Sequence, residues 1–181
     1  MFVEGKELYL GRDAGNTVSD VMTEGFTLES PYGWDLTVSD GCESRTDVIC
    51  NIPFEPVESD HDCVQTRMTF DDADGERNSD GRYECQLDCL EIDTKERPQE
   101  ISSLKSVGFE FEILGISQDT KLSDAIEICK GLADEGLFQY RYNDAGGYDL
   151  YLTNPDFAIT IGFNTGCSYA CYLCVAQHPI D

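Results

Sequence analysis

The feature that most constrains the fold is a stretch of two alternating apolar and polar segments separated by one polar loop. The apolar side chains that share a face are Val64, Met68 and Phe70 in the first segment and Tyr83, Cys85, Leu87 and Cys89 in the second. A period of two is that of a strand with one buried face. The intervening loop, DDADGERNSDG, is polar and contains glycine. Residues 64–93 therefore predict a long antiparallel hairpin.

The alternation changes phase near the end of this hairpin. Glu84, Gln86 and Asp88 occupy the polar face, but beyond Cys89 the apolar residues Leu90 and Ile92 occupy positions that should be polar. One inserted residue explains the change, so we expect a β-bulge near Cys89.

The chain is strongly acidic, and its charge is densest at the hairpin. Its 181 residues include 36 acidic and 12 basic side chains, a formal net charge of -24. Such a chain is not expected to bind nucleic acid or an anionic membrane through a basic surface. It favours a partner with a basic surface, and the alternative is that the charge serves solubility or adaptation to a salty cytoplasm.

The second half of the chain predicts a sheet with one helix. Phe109, Phe111 and Ile113 alternate with Glu110 and Glu112 in a strand over Val107–Leu114. Apolar residues at helical spacing predict an amphipathic helix over about 121–135, with Ser123 or Thr120 as N-cap and Gly136 as its C-terminal stop. Strands follow at 138–142, 148–153, 158–163 and 168–176.

The fold class is accordingly α+β, mainly antiparallel β, with the helix packed on a C-terminal sheet. A polar segment around Pro98 predicts the boundary between two lobes. These are an acidic, β-rich lobe over 1–97 that contains the hairpin and an α+β lobe over 98–181.

The nine cysteines predict reduced thiols in a cytoplasmic protein, since the start of the sequence does not read as a signal peptide and no apolar run is long enough for a membrane span. Cys167, Cys171 and Cys174 have the C-x3-C-x2-C spacing of the iron–sulfur motif of radical SAM enzymes, but only seven residues follow. With His178 they compose a Cys3His zinc set. If 168–176 is a strand, however, Cys171 and Cys174 point to opposite faces, so we expect buried thiols and no cofactor.

A calcium site and a catalytic site both have little support in the sequence. The Asp-rich loop invites calcium, but neither glycine of the loop gives an EF-hand frame with carboxylates at both the first and twelfth positions. Catalysis has little support, because the chain has only two histidines, His61 and His178, and no hydrolase, P-loop, zincin or Rossmann motif. We expect a binding protein, not an enzyme.

The predicted function is that of an inhibitor that occupies the nucleic-acid groove of a basic nucleic-acid-binding protein or nuclease. Carboxylates on one strand face repeat every ~6.7 Å, about two steps of the ~3.4 Å axial spacing of phosphates along one DNA strand. The expected contact residues are Asp71, Asp72, Asp74, Glu76, Asp80, Glu84 and Asp88, with Glu110 and Glu112 as a second patch.

In composition, size and lack of catalytic motif the chain resembles phage-encoded anti-CRISPR and anti-restriction inhibitors, which implies action in the host cytoplasm. No motif carries the resemblance, so it assigns no residues. The alternatives are an acidic immunity or adaptor protein that binds a basic toxin or enzyme at an exosite, and a metal-binding module built on the cysteines or the Asp-rich loop.

Overall fold

The computed structural model describes residues 1–11, 15–16, 20, 27–29, 45–51, 64–71, 86–94 and 103–177. In this part of the chain, strands form two antiparallel sheets, and one helix packs against strands at the edge of the larger sheet. The predicted α+β class with mainly antiparallel strands is confirmed.

The described strands are β1 (Phe2–Val3), β2 (Lys6–Glu7), β3 (Thr27–Glu29), β4 (Arg45–Asn51), β5 (Val64–Asp71), β6 (Gln86–Thr94), β7 (Phe111–Ile113), β8 (Ile116–Ser117), β9 (Gln139–Asn143), β10 (Tyr148–Thr153), β11 (Ala158–Phe163) and β12 (Tyr172–Ala176), and the helix α1 is Leu122–Asp134. The four-stranded sheet has the order β2-β1-β7-β8. The eight-stranded sheet has the order β3-β4-β5-β6-β12-β11-β10-β9.

The predicted hairpin is formed by β5 and β6, and it contains the predicted bulge. Thr69 pairs with Cys89 and Phe70 with Leu87, so Asp88 is the inserted residue. The insertion lets Leu87, Leu90 and Ile92 all be fully buried. It lies one residue earlier than the apolar pattern implied. The prediction that Cys89 shares a face with Leu87 is therefore wrong, and Cys89 lies on the outer face beside the next strand.

Both sheets contain strands from each of the two predicted lobes. In the larger sheet, β6 pairs with β12, and Leu90 lies opposite Val175. In the smaller sheet, β1 pairs with β7, and Val3 lies opposite Phe111. The division into lobes at 1–97 and 98–181 stays a prediction. The two predicted lobes share both sheets.

The predicted helix is confirmed, but its N-cap is not. The cap is Lys121, and no side chain among the described residues makes a capping hydrogen bond to α1. The main-chain amide of Leu122 instead donates to the carbonyl of Ser168, at 2.9 Å. Gly136 ends the helix with a φ of 73°, as predicted, and its amide donates to the carbonyl of Ala133.

Two predicted strands are shorter than the pattern suggested. The segment before β7 turns at Gly108, where φ is 76°, and its amides bond locally, so Val107–Leu114 contributes only Phe111–Ile113 and belongs to the smaller sheet. The predicted strand over 168–176 is also shorter, because β12 begins at Tyr172. The amide of Cys171, just before β12, donates to the carbonyl of Gly162. β10 and β11 have the predicted bounds.

The core lies between the inner face of the larger sheet, the helix and the smaller sheet. Its fully buried side chains include Leu8, Met68, Leu104, Phe109, Ile116, Leu150, Leu152 and Phe163. The helix contributes Ala125 and Cys129. No helix in the described part of the chain is both long and apolar enough to cross a membrane.

Candidate functional site

Most of the predicted hairpin contacts fall where the structure gives no description. Asp72, Asp74, Glu76, Asp80 and Glu84 lie outside the described residues, as do His61 and His178. Asp71 ends β5 opposite Gln86. Asp88 is half-buried at the bulge, and its main-chain carbonyl accepts a hydrogen bond from the amide of Gln177.

The second predicted patch is described in full. Glu110 and Glu112 are exposed, and they alternate with the buried Phe109, Phe111 and Ile113 as predicted. Glu112 lies in β7 of the four-stranded sheet and Glu110 directly precedes that strand, whereas Asp71 and Asp88 belong to the eight-stranded sheet.

The fold adds the N-terminus of the chain to this patch. Phe2 lies opposite Glu112 on one side and opposite Glu7 on the other. Directly opposed residues share a face of a sheet, so an exposed phenyl ring lies between two carboxylates. We call Phe2, Glu4, Glu7, Glu110 and Glu112 the acidic face.

Glu4 ties the two chain segments together. Its amide donates to the carbonyl of Glu110 at 2.9 Å, and the amide of Glu110 donates to Oε1 of Glu4 at 2.5 Å. Partial burial raises the pKa of the Glu4 carboxyl, the hydrogen bond from Glu110 opposes that shift, and the negative charge of Glu110 adds to it. The carboxylates of Glu4 and Glu110 are therefore close enough to repel each other.

A shallow groove of about 410 Å³ runs along this face. Phe2, Glu110 and Glu112 line it, together with Ser117 and Gln118. Tyr9, two residues after Glu7, is 51% exposed, and a hydrogen bond to Glu7 raises the pKa of the Tyr9 hydroxyl. Carboxylates accept charge-assisted hydrogen bonds and aromatic rings stack on cations, so the groove suits an arginine or lysine side chain.

A second cluster lies on the outer face of the eight-stranded sheet. The Sγ atoms of Cys89 and Cys174 are 3.9 Å apart, and the hydroxyl of Tyr172 donates to Oε1 of Glu91 at 3.2 Å. The hydrogen bond from the Cys89 thiol is the main influence that lowers the pKa of Cys174, and burial opposes it. The pKa of Cys89 is raised, first because it donates to Cys174.

This cluster changes the interpretation of the cysteine motif. Cys171 is buried, its thiol donates to the carbonyl of Gly162, and burial raises its pKa to about 12. Cys174 faces Cys89 instead of Cys171. Within the described residues, no three His, Cys, Asp or Glu side chains are grouped as a metal site.

Sequence reasoning missed Phe2, Glu4, Glu7 and Tyr9, because the pairing of β1 with β7 joins residues about a hundred positions apart. The pairing of Cys89 with Cys174 was missed for the same reason, although the alternation of Tyr172, Cys174 and Ala176 was a signal for one outer face.

Comparisons of the chain with models of protein families, with curated proteins and with solved structures found no match. Function is therefore inferred from the acidic face and from the cluster of Cys89, Cys174, Tyr172 and Glu91.

Proposed function

We propose that this protein is a non-enzymatic inhibitor that binds a basic nucleic-acid-binding protein or nuclease and occupies its nucleic-acid groove by charge mimicry. The observation that carries the proposal is the acidic face, where Glu110 and Glu112 line a groove beside the exposed ring of Phe2. It belongs to a chain with a net charge of -24.

The spacing of the two carboxylates supports mimicry of a phosphate backbone. Glu110 and Glu112 are two residues apart where the chain enters β7, and side chains so spaced on a strand lie ~6.7 Å apart. That distance equals about two steps of the ~3.4 Å axial spacing of phosphates along one DNA strand. A row of lysines or arginines arranged for DNA would meet the two carboxylates in the same order.

The aromatic residue favours a protein partner with arginine. A guanidinium that pairs with Glu112 lies within reach of Phe2, which is directly opposite on β1. An Arg side chain pairs with carboxylates in two-pronged geometry and also stacks on rings. Among the described residues, the ion pairs Lys105–Asp119 and Lys130–Glu127 involve other carboxylates than Glu110 and Glu112.

The net charge affects the rate of association as well. An excess of 24 negative charges attracts a cationic cleft over about one Debye length, ~8–10 Å at physiological salt. We propose the cytoplasm as the place of action, where cysteines stay reduced.

The test is a pair of charge reversals of equal size. Glu110→Lys with Glu112→Lys changes the acidic face, and Asp134→Lys with Glu135→Lys makes the same change at the C-terminal end of α1, where lysine suits the helix dipole. Tagged proteins are incubated with a cell extract, and the retained proteins are identified by mass spectrometry. Basic nucleic-acid-binding proteins retained by the wild type should be lost from the first variant and kept by the second.

Competition with DNA separates groove occupancy from binding at an exosite. An excess of duplex DNA should release the retained target if the acidic face occupies its nucleic-acid groove. Retention that neither DNA nor the Glu110 and Glu112 reversals affect would refute the proposal. Unfolding of the wild type below molar salt would instead assign the charge to a saline environment.

A further inference from the structure

The thiols of Cys89 and Cys174 are brought together by the pairing of β6 with β12. Cys174 lies opposite Glu91 and Cys89 opposite Ala176, so the two cysteines are diagonal neighbours on the outer face of the sheet. Their Sγ atoms are 3.9 Å apart, although 85 positions separate them in the chain. A disulfide needs an S–S distance of about 2.0 Å, so bond formation requires an approach of roughly 2 Å.

The surroundings favour a thiolate at Cys174 in particular. Cys174 accepts a hydrogen bond from the thiol of Cys89, and this bond lowers the pKa of Cys174. By contrast, burial raises the pKa of Cys129 to about 11 and that of Cys171 to about 12. The thiolate is the nucleophile in disulfide exchange, so Cys174 is the more reactive member of the pair.

Cys174 also lines a groove that contains the positively charged side chain of Arg141. The groove has a volume of about 430 Å³ and is lined by Arg141, Tyr151, Thr160 and Cys174. The guanidinium of Arg141 lies 4.6 Å from the centre of the Tyr151 ring. A ligand with a carboxylate can pair with Arg141 while its sulfur approaches Cys174.

We propose that Cys174 and Cys89 form a thiol–disulfide exchange site for a low-molecular-weight disulfide that carries carboxylates. The Cys174 thiolate attacks one sulfur of the disulfide, which forms a mixed disulfide and releases one small thiolate. Cys89 then loses its proton to solvent and attacks Sγ of Cys174, which releases the second small thiol. The two protein thiols are oxidised to one disulfide, and the small disulfide is reduced to two thiols.

The test equilibrates the full-length protein with graded mixtures of a carboxylate-bearing disulfide, such as oxidised glutathione, and its thiol. Free thiols are then alkylated, and the peptides are mapped by mass spectrometry. A Cys89–Cys174 disulfide should form at a lower proportion of disulfide than modification of Cys167, a half-buried cysteine that serves as the internal reference. Cys89→Ser should trap the mixed disulfide on Cys174, whereas Cys174→Ser should leave Cys89 unmodified.

The role of Arg141 is tested by a second comparison. Arg141→Gln should slow the reaction with the carboxylate-bearing disulfide severalfold and leave the reaction with an uncharged disulfide, hydroxyethyl disulfide, unchanged. Circular dichroism of each variant confirms that it is folded. The proposal is overturned if folded wild-type protein modifies Cys167 before the Cys89–Cys174 pair, or if Cys89→Ser traps no mixed disulfide.

Discussion

The main-chain amide of Gln177 donates a hydrogen bond of 2.9 Å to the carbonyl of Asp88, the inserted residue of the hairpin bulge. The bond extends the pairing of β6 with β12 beyond Cys89 and Ala176. The bulge of the hairpin is thus bonded to the residue that follows β12. The inserted Asp88 sets the face on which Leu90 and Ile92 lie.

Deletion of Asp88 tests the role of this insertion. Without it, Leu87 and Cys89 are adjacent, the pairings of Phe70 with Leu87 and Thr69 with Cys89 are kept, and strict alternation leaves Leu90 and Ile92 on the inner face. The deletion should therefore give a folded protein that loses no more than about 2 kcal/mol in urea unfolding, mainly because the hydrogen bond from Gln177 is removed. Asp88→Asn keeps the chain length and should change stability by less than about 1 kcal/mol. In a strand without a bulge the deletion would move Leu90 and Ile92 to the outer face, so a loss of about 3–6 kcal/mol or no folded state would contradict the assigned bulge.

Local periodicity was enough to predict much of this fold. The hairpin, the bulge, α1, β10 and β11 each depend on side chains within one or two segments of sequence, and the switch at Leu90 was visible without any structure. The exposed positions of Glu110 and Glu112 followed from the same alternation.

Long-range pairing could not be predicted in this way. Nothing in the short N-terminal segment identifies Glu112 as the partner of Phe2, since strand periodicity assigns a face and not a neighbour. The N-cap of α1 failed for a related reason: the carbonyl of Ser168, distant in sequence, accepts from the amide of Leu122. A tertiary contact thus replaced the side-chain cap that local sequence implied.

Two glycines provide a matched test of packing on the sheet and the helix. A Cβ at Gly162 would lie 3.0 Å from Cβ of Tyr172 and 3.2 Å from Oδ1 of Asp149, so Gly162→Ala should destabilise the protein by about 1–3 kcal/mol. No described atom lies within 4 Å of a Cβ built at Gly131 of α1, so Gly131→Ala should stabilise it by about 0.5–1 kcal/mol. Thermal unfolding measures both, and effects of the same sign would count against the packing around Gly162.

The continuous eight-stranded sheet predicts one unfolding transition. Fluorescence of Trp34, the single tryptophan, reports on the first half of the chain, and far-ultraviolet circular dichroism reports on all strands and α1. The two urea curves should coincide. Leu90→Ala, at a fully buried site opposite Val175, should lower the free energy of unfolding from both curves by the same amount, about 2–5 kcal/mol. Separate midpoints, with only the fluorescence curve shifted, would instead support independent lobes.

Glu4 gives the acidic face a defined pH dependence. Burial and the charge of Glu110 raise the pKa of Glu4 above its ordinary value of 4.5, although its hydrogen bond to Glu110 and the charge of Lys6 oppose the shift. The folded state therefore holds a proton that the unfolded state releases, so this group's contribution to stability falls as pH rises from about 4.5 through the raised pKa. Glu4→Gln removes the titration, and its Oε1 can still accept from the Glu110 amide. The melting temperature of Glu4→Gln relative to wild type should hence be higher at pH 7 than at about pH 3.5.

Glu112→Gln, which removes an exposed carboxylate from the same face, controls for net charge. A difference for Glu4→Gln that is constant with pH, or that matches Glu112→Gln throughout, would show that Glu4 does not titrate in this way.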